Sequence, residues 1–238
     1  MYSSRYILIF VTGLTAISAL LLSILYTSLR DRHEFNEAIY NKRAILSSIE
    51  DHLDRNVRDL SGAEVQMLFD DRIEQVVVDN NGDQIPGLMS DDIDLARERK
   101  KPVSEMRLPV YIYSAPEGQF YIVSVRGNGL WDEIWGSIAL EEDLNTIAGV
   151  AFDHAGETPG LGAEIKDNAG FSRQFVGKKI YDDTGVYVSV EVKKRGARNQ
   201  EHEVDGISGA TITCNGVTEM MERGIQYYEA YFDKLKTH

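Results

Sequence analysis

VYIYSAPEGQFYIV, at residues 110–123, contains two runs of β-branched and aromatic residues on either side of the segment Ala115–Gly118. Such runs are typical of β-strands, and proline and glycine between them are typical of a tight turn. The stretch therefore predicts a β-hairpin. A hairpin pairs its strands antiparallel, so the sheet that contains it is expected to be mainly antiparallel.

The neighbouring sequence extends this sheet in both directions. Gly136–Leu140 and Thr146–Phe152 flank the polar segment Glu141–Asn145, which predicts a second hairpin. Upstream, Val76–Val78 precedes the turn-forming residues Asp79–Asp83, which predicts one more strand.

The last third of the chain predicts a further strand and a closing helix. Polar residues alternate with Val186, Val188, Val190 and Val192, which indicates a strand with one buried face. A helix is expected from about Asn215 to Leu235. The predicted fold class is α+β: one N-terminal transmembrane helix followed by a mainly antiparallel sheet domain with flanking helices.

Residues Tyr6–Leu29 contain no charged side chain. At about 1.5 Å per residue this run spans roughly 36 Å as a helix, enough to cross a hydrocarbon core of about 30 Å. The run is longer than the apolar part of most signal peptides and has no A-x-A cleavage pattern, so we expect a retained single-span anchor. Basic residues flank both ends of the run, and their count leaves the orientation open.

Apolar residues continue at helical spacing beyond the anchor. The pattern predicts an amphipathic stalk helix that packs on its own domain rather than on a partner; its members are Phe35, Ile39, Leu46, Ile49, Leu53, Val57 and Leu60. The expected organisation is an N-terminal tail and transmembrane helix over 1–29, the stalk over 30–62 and an extracytoplasmic domain over 63–238.

Composition excludes several classes of protein. The chain has 25 Lys+Arg and 38 Asp+Glu, a formal net charge of −13. Such a balance disfavours nucleic acid as a partner, because phosphate backbones bind basic surfaces. The single cysteine, Cys214, excludes an internal disulfide or an iron–sulfur cluster held by this chain alone, and we expect it to be a small packed residue. The histidines show no spacing typical of a metal site.

Two glycine-rich segments are candidates for ligand contact. In Gly156–Gly162, GETPGLG, the glycines allow a ligand to approach the backbone, although most such loops are simple turns. Asp205–Thr213, DGISGATIT, leads into the last helix, and small residues, hydroxyls and a helix N-terminus together suit a phosphate. The alternative is that Thr213 or Asn215 caps the helix, and spacing alone favours capping.

The motifs together resemble a known family. DGISGAT, at Asp205–Thr211, is similar to D-G-x-[S/T]-G-A-T, which bacterial flavin transferases recognise when they esterify FMN phosphate onto the final threonine. With GLWDEIWG at Gly129–Gly136 and GETPGLGAEI at Gly156–Ile165, the chain resembles the C subunit of the sodium-pumping NADH:quinone oxidoreductase. The resemblance covers most of the chain, including the N-terminal span, but residues 64–107 match no motif.

Two other functions stay open at this point. The G subunit of the Rnf-type ferredoxin:NAD oxidoreductase shares the threonine motif and the ETPGLG loop. Leu130, Trp131 and Trp135 look more like the sodium-pump subunit, which we therefore prefer. The second is a membrane-anchored FMN-binding sensor or scaffold domain, which would need an output domain that the few residues before the apolar run do not provide.

The resemblance implies a covalent flavin site. Thr211 would carry FMN through a phosphoester, with the activation supplied by the transferase because a threonine hydroxyl is a poor nucleophile. Ser208 or Thr213 would assist the phosphate beside Gly209 and Ala210. The residues expected to flank the cofactor are Glu157, Thr158, Gly160, Leu161 and Gly162, with Leu130 and Trp131 in apolar contact with the ring. From the residues alone, both Trp131 and Trp135 would be assigned to the core.

The resemblance also implies an electron relay in a larger enzyme complex. The chain has no G-x-G-x-x-G after a predicted strand, so we expect NADH to bind to another subunit. The resemblance places the chain in the inner membrane with its large domain on the periplasmic side. One uncharged span offers no ion pathway, so any sodium movement would belong to partner chains.

Overall fold

The computed structural model describes residues 3–237. The chain forms two compact units, and the boundary between them lies after Asn41. The first unit consists of most of helix α1 (Ser4–Ser47), whose apolar side chains over Tyr6–Leu29 are exposed. By length and composition this helix can cross a membrane, so it fits the predicted single-pass anchor.

The second unit begins with the end of α1, and here the stalk prediction was partly wrong. The helix ends at Ser47, and two 3₁₀ turns follow, at Glu50–His52 and Val57–Asp59. The Arg43 guanidinium donates to the carbonyls of Val57 and Leu60 and so folds this segment back on the helix end. Leu46, Ile49, Val57 and Leu60 are buried, which confirms for this part that the apolar stripe packs on its own domain.

The sheet of the second unit has five antiparallel strands in the order in which they occur in the chain. Both predicted hairpins and the predicted first strand are confirmed. The strands are β1 (Ile73–Val78), β2 (Leu108–Ala115), β3 (Gly118–Asn128), β4 (Glu133–Leu140) and β5 (Ile147–His154). A separate small parallel pair joins β6 (Glu191–Lys193) and β7 (Glu203–Asp205).

Helices cover the sheet, which confirms the α+β class. They are α2 (Gly62–Arg72), α3 (Leu95–Glu98), α4 (Glu164–Asp167), α5 (Ala169–Arg173), α6 (Thr211–Gln226) and α7 (Glu229–Lys236). α2 starts with a capping box between Ser61 and Glu64 and packs Phe69 edge-on against Tyr111 of β2, with ring centroids 5.8 Å apart. α6 packs along β3, and its buried side chains belong to the main core cluster.

Three glycines bring α6 unusually close to the sheet. A Cβ on Gly216 would collide with the carbonyl oxygen of Asn128, at the end of β3. A Cβ on Gly127 would meet Met220 of the helix, and one on Gly224 would meet Val125. The helix therefore rests on β3 at three levels along its length. This contact fixes the height of its first residue, Thr211, above the end of the sheet.

The predicted strand over Val186–Val192 was wrong in its first half. Ser189 has a φ of 60°, a left-handed conformation that interrupts an extended run. Val186 and Val188 are exposed as a result, while Val190 and Val192 are buried. The strand is limited to Glu191–Lys193.

The predicted closing helix is two helices. It begins at Thr211 rather than near Asn215, and it is interrupted at Tyr227 and Tyr228 before α7. The Tyr228 side chain is fully buried, and its hydroxyl lies 3.2 Å from the carbonyl oxygen of Pro109 and 3.0 Å from that of Ser124. Burial raises the pKa of Tyr228, so the hydroxyl keeps its one proton and shares it between these two strand carbonyls.

Tyr228→Phe is expected to lower the free energy of unfolding by about 1–3 kcal/mol, because it leaves two buried strand carbonyls without this donor. Urea unfolding of the full chain in detergent, followed by far-ultraviolet circular dichroism, measures the change. Tyr227→Phe is the matched control, because Tyr227 is the adjacent residue and its side chain is only half-buried. Equal stability of the two variants would contradict this assignment.

Candidate functional site

Three loops meet at one end of the sheet. The first, residues 129–132, joins β3 to β4, and the second, residues 156–162, follows β5. They are neighbours because β4 pairs with both strands, with Asn128 opposite Glu133 and Ile134 opposite His154. The third loop, residues 206–210, leads into α6, whose close contact with β3 brings Thr211 to the same end.

Glu157 links the first two loops to the first turn of α6. Its side chain is 5% exposed. Its Oε1 accepts a hydrogen bond from the backbone N–H of Trp131 at 2.9 Å, and its Oε2 accepts one from the Thr213 hydroxyl at 2.5 Å. The backbone N–H of Glu157 in turn donates to Nδ1 of His154 at 3.2 Å. A single buried carboxylate therefore joins the loop after β3, the loop after β5 and the first turn of α6.

Glycine is required at several positions in these loops, for different structural reasons. A Cβ on Gly129 or Gly162 would collide with the Glu157 carboxylate, so both positions leave room for a side chain of the protein itself. Gly160 and Gly209 have φ values of 74° and 81°, the left-handed region that favours glycine. A Cβ on Gly209 would also meet the end of Leu161, which places the second and third loops in contact.

Exposed apolar side chains surround this junction. Leu130 is 46% exposed, Trp131 68% and Leu161 41%. The Trp131 indole N–H donates to the Thr158 hydroxyl at 3.1 Å, which fixes the ring at the edge of the second loop. The default assignment of Trp131 to the core was therefore wrong. Apolar side chains gathered at the surface are typical of a binding site.

Ile212 belongs to the same group and is absent from the sequence-based prediction. It is 56% exposed and directly follows Thr211 in the first turn of α6. We call Leu130, Trp131, Leu161 and Ile212 the apolar rim. The sequence does contain a signal for this residue. Ile212 lies between two threonines, and at helical spacing it falls on a different face of the helix from the buried residues Val217 and Met221.

Thr211 is the first residue of α6 and is partly exposed. The N-cap residue is Ala210, and no side chain of the described residues caps this helix end. The first N–H groups of a helix have no acceptor within the helix and carry partial positive charge, so they favour an anion. The expectation that Thr213 or Asn215 caps the helix was wrong, because both lie inside it.

Thr213 also differs from its expected role at the phosphate. It is 1% exposed, and its hydroxyl proton is donated to Glu157. Ser208 and Gly209 are exposed in the loop before the helix, while Ala210 is buried. Ser208 and the backbone N–H groups therefore remain the candidate phosphate donors, and Thr213 becomes the partner of Glu157.

Gln174 is a further residue that the sequence did not reveal. Its side-chain amide accepts from the backbone N–H of Asp205 at 2.8 Å and donates to the carbonyl of the same residue at 3.3 Å. The Asp205 carboxylate accepts from the backbone N–H of Ala197 at 2.6 Å. These contacts hold the start of the threonine motif in place. Gln174 is far from the motif in sequence, so spacing gave no sign of it.

The single cysteine takes the packed position that was predicted. Cys214 is buried, and its sulfur accepts a hydrogen bond from the backbone N–H of Ile207 at 3.3 Å. Burial raises the pKa of the thiol, which opposes formation of the thiolate. Trp135 is half-buried under the Arg126 guanidinium, 5.0 Å from its ring centroid, and does not belong to the apolar rim.

The chemistry of these groups fits a flavin mononucleotide. A partly exposed threonine hydroxyl lies at an uncapped helix N-terminus, which suits the phosphate, and the apolar rim suits a flat aromatic ring. The residues present therefore match two chemically distinct parts of such a ligand, its phosphate and its ring.

Comparisons with known proteins agree with this chemistry. Residues 129–226 match the model of the FMN-binding domain family. The chain is 33% identical over 226 residues to the C subunit of the Na(+)-translocating NADH-quinone reductase of Vibrio vulnificus, covering 87% of this chain and 85% of the relative. It is 35% identical over 206 residues to the same subunit of Pseudomonas aeruginosa, covering 74% of this chain and 76% of that relative.

A solved structure shows the same fold. The crystal structure of the C subunit of the Na(+)-translocating NADH-quinone reductase from Parabacteroides distasonis superposes with a TM-score of 0.75 at 35% sequence identity. The match covers 86% of this chain and 96% of that one. The preference for the sodium-pump subunit, made on the motifs, is confirmed by these relatives.

Proposed function

We infer the function of this chain from its family: it belongs to the family of the C subunit of the Na(+)-translocating NADH-quinone reductase, and its residues 129–226 form an FMN-binding domain. Its role is that of a subunit in an NADH-quinone reductase complex. Within that role, we propose that the chain carries FMN covalently through a phosphoester to Thr211 and relays electrons between two other redox centres of the complex.

One observation carries the proposal for the attachment site. Thr211 is the first residue of an uncapped helix, and the residue after it belongs to the apolar rim. A phosphate esterified to this hydroxyl would be held by the N–H groups of the first turn, where the helix dipole would stabilise its negative charge. Among the described residues, no acid or histidine side chain is hydrogen-bonded to the Thr211 hydroxyl, so in this proposal a flavin transferase supplies the activation of the hydroxyl.

The residues of this chain bind and orient rather than react. The N–H groups of the first turn, with Ser208, hold the phosphate. Leu130, Trp131 and Leu161 exclude water from the ring, and Thr158 fixes the indole of Trp131. FMN supplies the redox chemistry when bound, while the protein sets its position and electrostatic surroundings.

The same proposal covers the placement of the chain. Helix α1 anchors it in the inner membrane as a single span, with the FMN-binding domain on the periplasmic side, where the transferase acts. The span of α1 over Tyr6–Leu29 carries no charge, so sodium translocation is assigned to partner subunits. We propose an anchor over 1–29 and an FMN-binding domain over 63–238; of the predicted stalk over 30–62, the residues from Lys42 onward belong to the same compact unit as the domain.

The test is the mass of the full chain, expressed with and without a flavin transferase in a host that exports the domain. We expect a gain of one FMN less one water with the transferase present, located by peptide mapping on the peptide that contains Thr211. In the assembled complex, NADH should then bleach the absorbance of this flavin. A flavin on the chain that NADH does not reduce in the complex would instead support the anchored sensor or scaffold.

A further inference from the structure

We propose that Glu157 is a positioning residue that holds the Leu130–Trp131 turn and the first turn of α6 in one fixed arrangement, so that the ring-binding edge and the flavin attachment point move together. This inference rests on the proposed function, since it concerns the geometry of the same site. It assigns Glu157 no contact with the reacting atoms.

The two carboxylate oxygens have separate partners. Oε1 accepts from the backbone of Trp131, and Oε2 accepts from the side chain of Thr213, two residues beyond the attachment point. These partners lie 26 and 56 residues away from Glu157 in the sequence. The planar carboxylate therefore sets the distance between the Leu130–Trp131 turn and the first turn of α6, because neither partner can shift without lengthening its hydrogen bond.

Burial and charge argue that this link has a specific role. Among the described residues, no lysine, arginine or histidine forms an ion pair with Glu157, although its side chain is 5% exposed. A buried carboxylate that is held by hydrogen bonds alone is costly. The sequence nevertheless reserves space for it, with Gly129 and Gly162 both facing the carboxylate. Such a costly arrangement favours a positioning role over simple filling of the core.

The test uses the full chain in detergent without flavin, in a Trp135→Phe background where Trp131 is the remaining tryptophan. Thr213→Val removes the hydroxyl and keeps the side-chain shape, while Thr213→Ser keeps the hydroxyl. Time-resolved anisotropy reports the rapid local motion of the Trp131 ring. We expect the amplitude of the fast component to rise about twofold in Thr213→Val and in Glu157→Ala, because each breaks the link between the helix and the turn.

Thr213→Ser and Glu157→Gln are expected to match the parent. The glutamine oxygen still accepts from Trp131, its NH₂ donates to the Thr213 oxygen, and the threonine proton turns to a main-chain carbonyl of Gly209 or Ala210, directly before the helix. A merely structural role for Thr213 would lower stability without moving the Trp131 signal. Parent-like anisotropy in a folded Thr213→Val chain would overturn the proposal, and so would a Glu157→Gln chain as mobile as Glu157→Ala.

A second measurement separates this inference from the proposed function. In flavin-loaded chains, the visible circular dichroism of the ring should fall in Thr213→Val and stay unchanged in Thr213→Ser. If the parent chain acquires no flavin, the proposed function fails while the Trp131 anisotropy still decides the role of Glu157. If Glu157→Ala does not fold, Thr213→Val alone carries the test.

Discussion

Thr211→Val is expected to remove covalent flavin from the chain completely, while Thr211→Ser keeps it. Valine has the shape of threonine without the hydroxyl, so no phosphoester can form, and the fold around the first turn of α6 is preserved. The measurement is flavin fluorescence under ultraviolet light on a denaturing gel of the full chain, co-expressed with a flavin transferase. Only a covalent bond survives the denaturant, which makes the effect all-or-none.

A hydroxyl outside the motif provides the control. Thr213→Val should keep covalent flavin, since the Thr213 hydroxyl is buried, donates to Glu157 and lies outside the motif that the transferase recognises. Flavin fluorescence that persists in Thr211→Val would show that the flavin is attached to another hydroxyl. A dark parent band, with the transferase active on a control substrate, would exclude covalent attachment and leave an anchored binding or scaffold domain as the function.

Gly216→Ala should destabilise the domain by about 2–3 kcal/mol, although alanine is intrinsically the better helix former by about 1 kcal/mol. The added Cβ would collide with the carbonyl oxygen of Asn128, which is main chain and cannot rotate away. The helix must therefore move off β3 or the end of the strand must distort. Urea unfolding of the full chain in detergent gives the change in free energy.

Asn215→Ala is the matched control for this substitution. Asn215 is the preceding residue of the same helix and is exposed, so the change should be neutral or stabilising by a few tenths of a kcal/mol. The flavin yield of Gly216→Ala should fall as well, because displacement of α6 also moves Thr211. Equal free energies of unfolding for the Gly216→Ala and Asn215→Ala chains would show that α6 can move away from β3 without loss of stability.

The sequence predicted the sheet well and the helix ends poorly, for physical reasons. Each strand boundary in the hairpins has a local signal, such as Ala115–Gly118 between β2 and β3, and neighbouring strands pair directly. The end of α1 depends instead on Arg43 reaching carbonyls more than ten residues away. The predicted strand does not extend to Val186 because Ser189 has a left-handed conformation, which the neighbouring sequence does not indicate.

The candidate site likewise has features that the sequence could predict and features that it could not. Its chemical groups could be predicted because each lies in a contiguous motif, and the structure brings Leu130, Trp131, Leu161 and Thr211 to one end of the sheet. The connections between the motifs could not be predicted, since they join residues that are distant in sequence. The contact of Thr213 with Glu157 and the hold of Gln174 on Asp205 are of this kind.

The consecutive order of the five strands has a consequence for the time course of folding. A meander needs only short loop closures, so the sheet can form early and fast. The contacts that hold α6 and the residues directly after it on the sheet close much longer loops: the Tyr228 hydroxyl, two residues beyond the end of α6, reaches strand carbonyls 104 and 119 residues away. We therefore expect docking of α6 to be a late step of folding. Until it occurs, the segment around Thr211 would stay an accessible chain, which would give the proposed flavin transferase its interval of access.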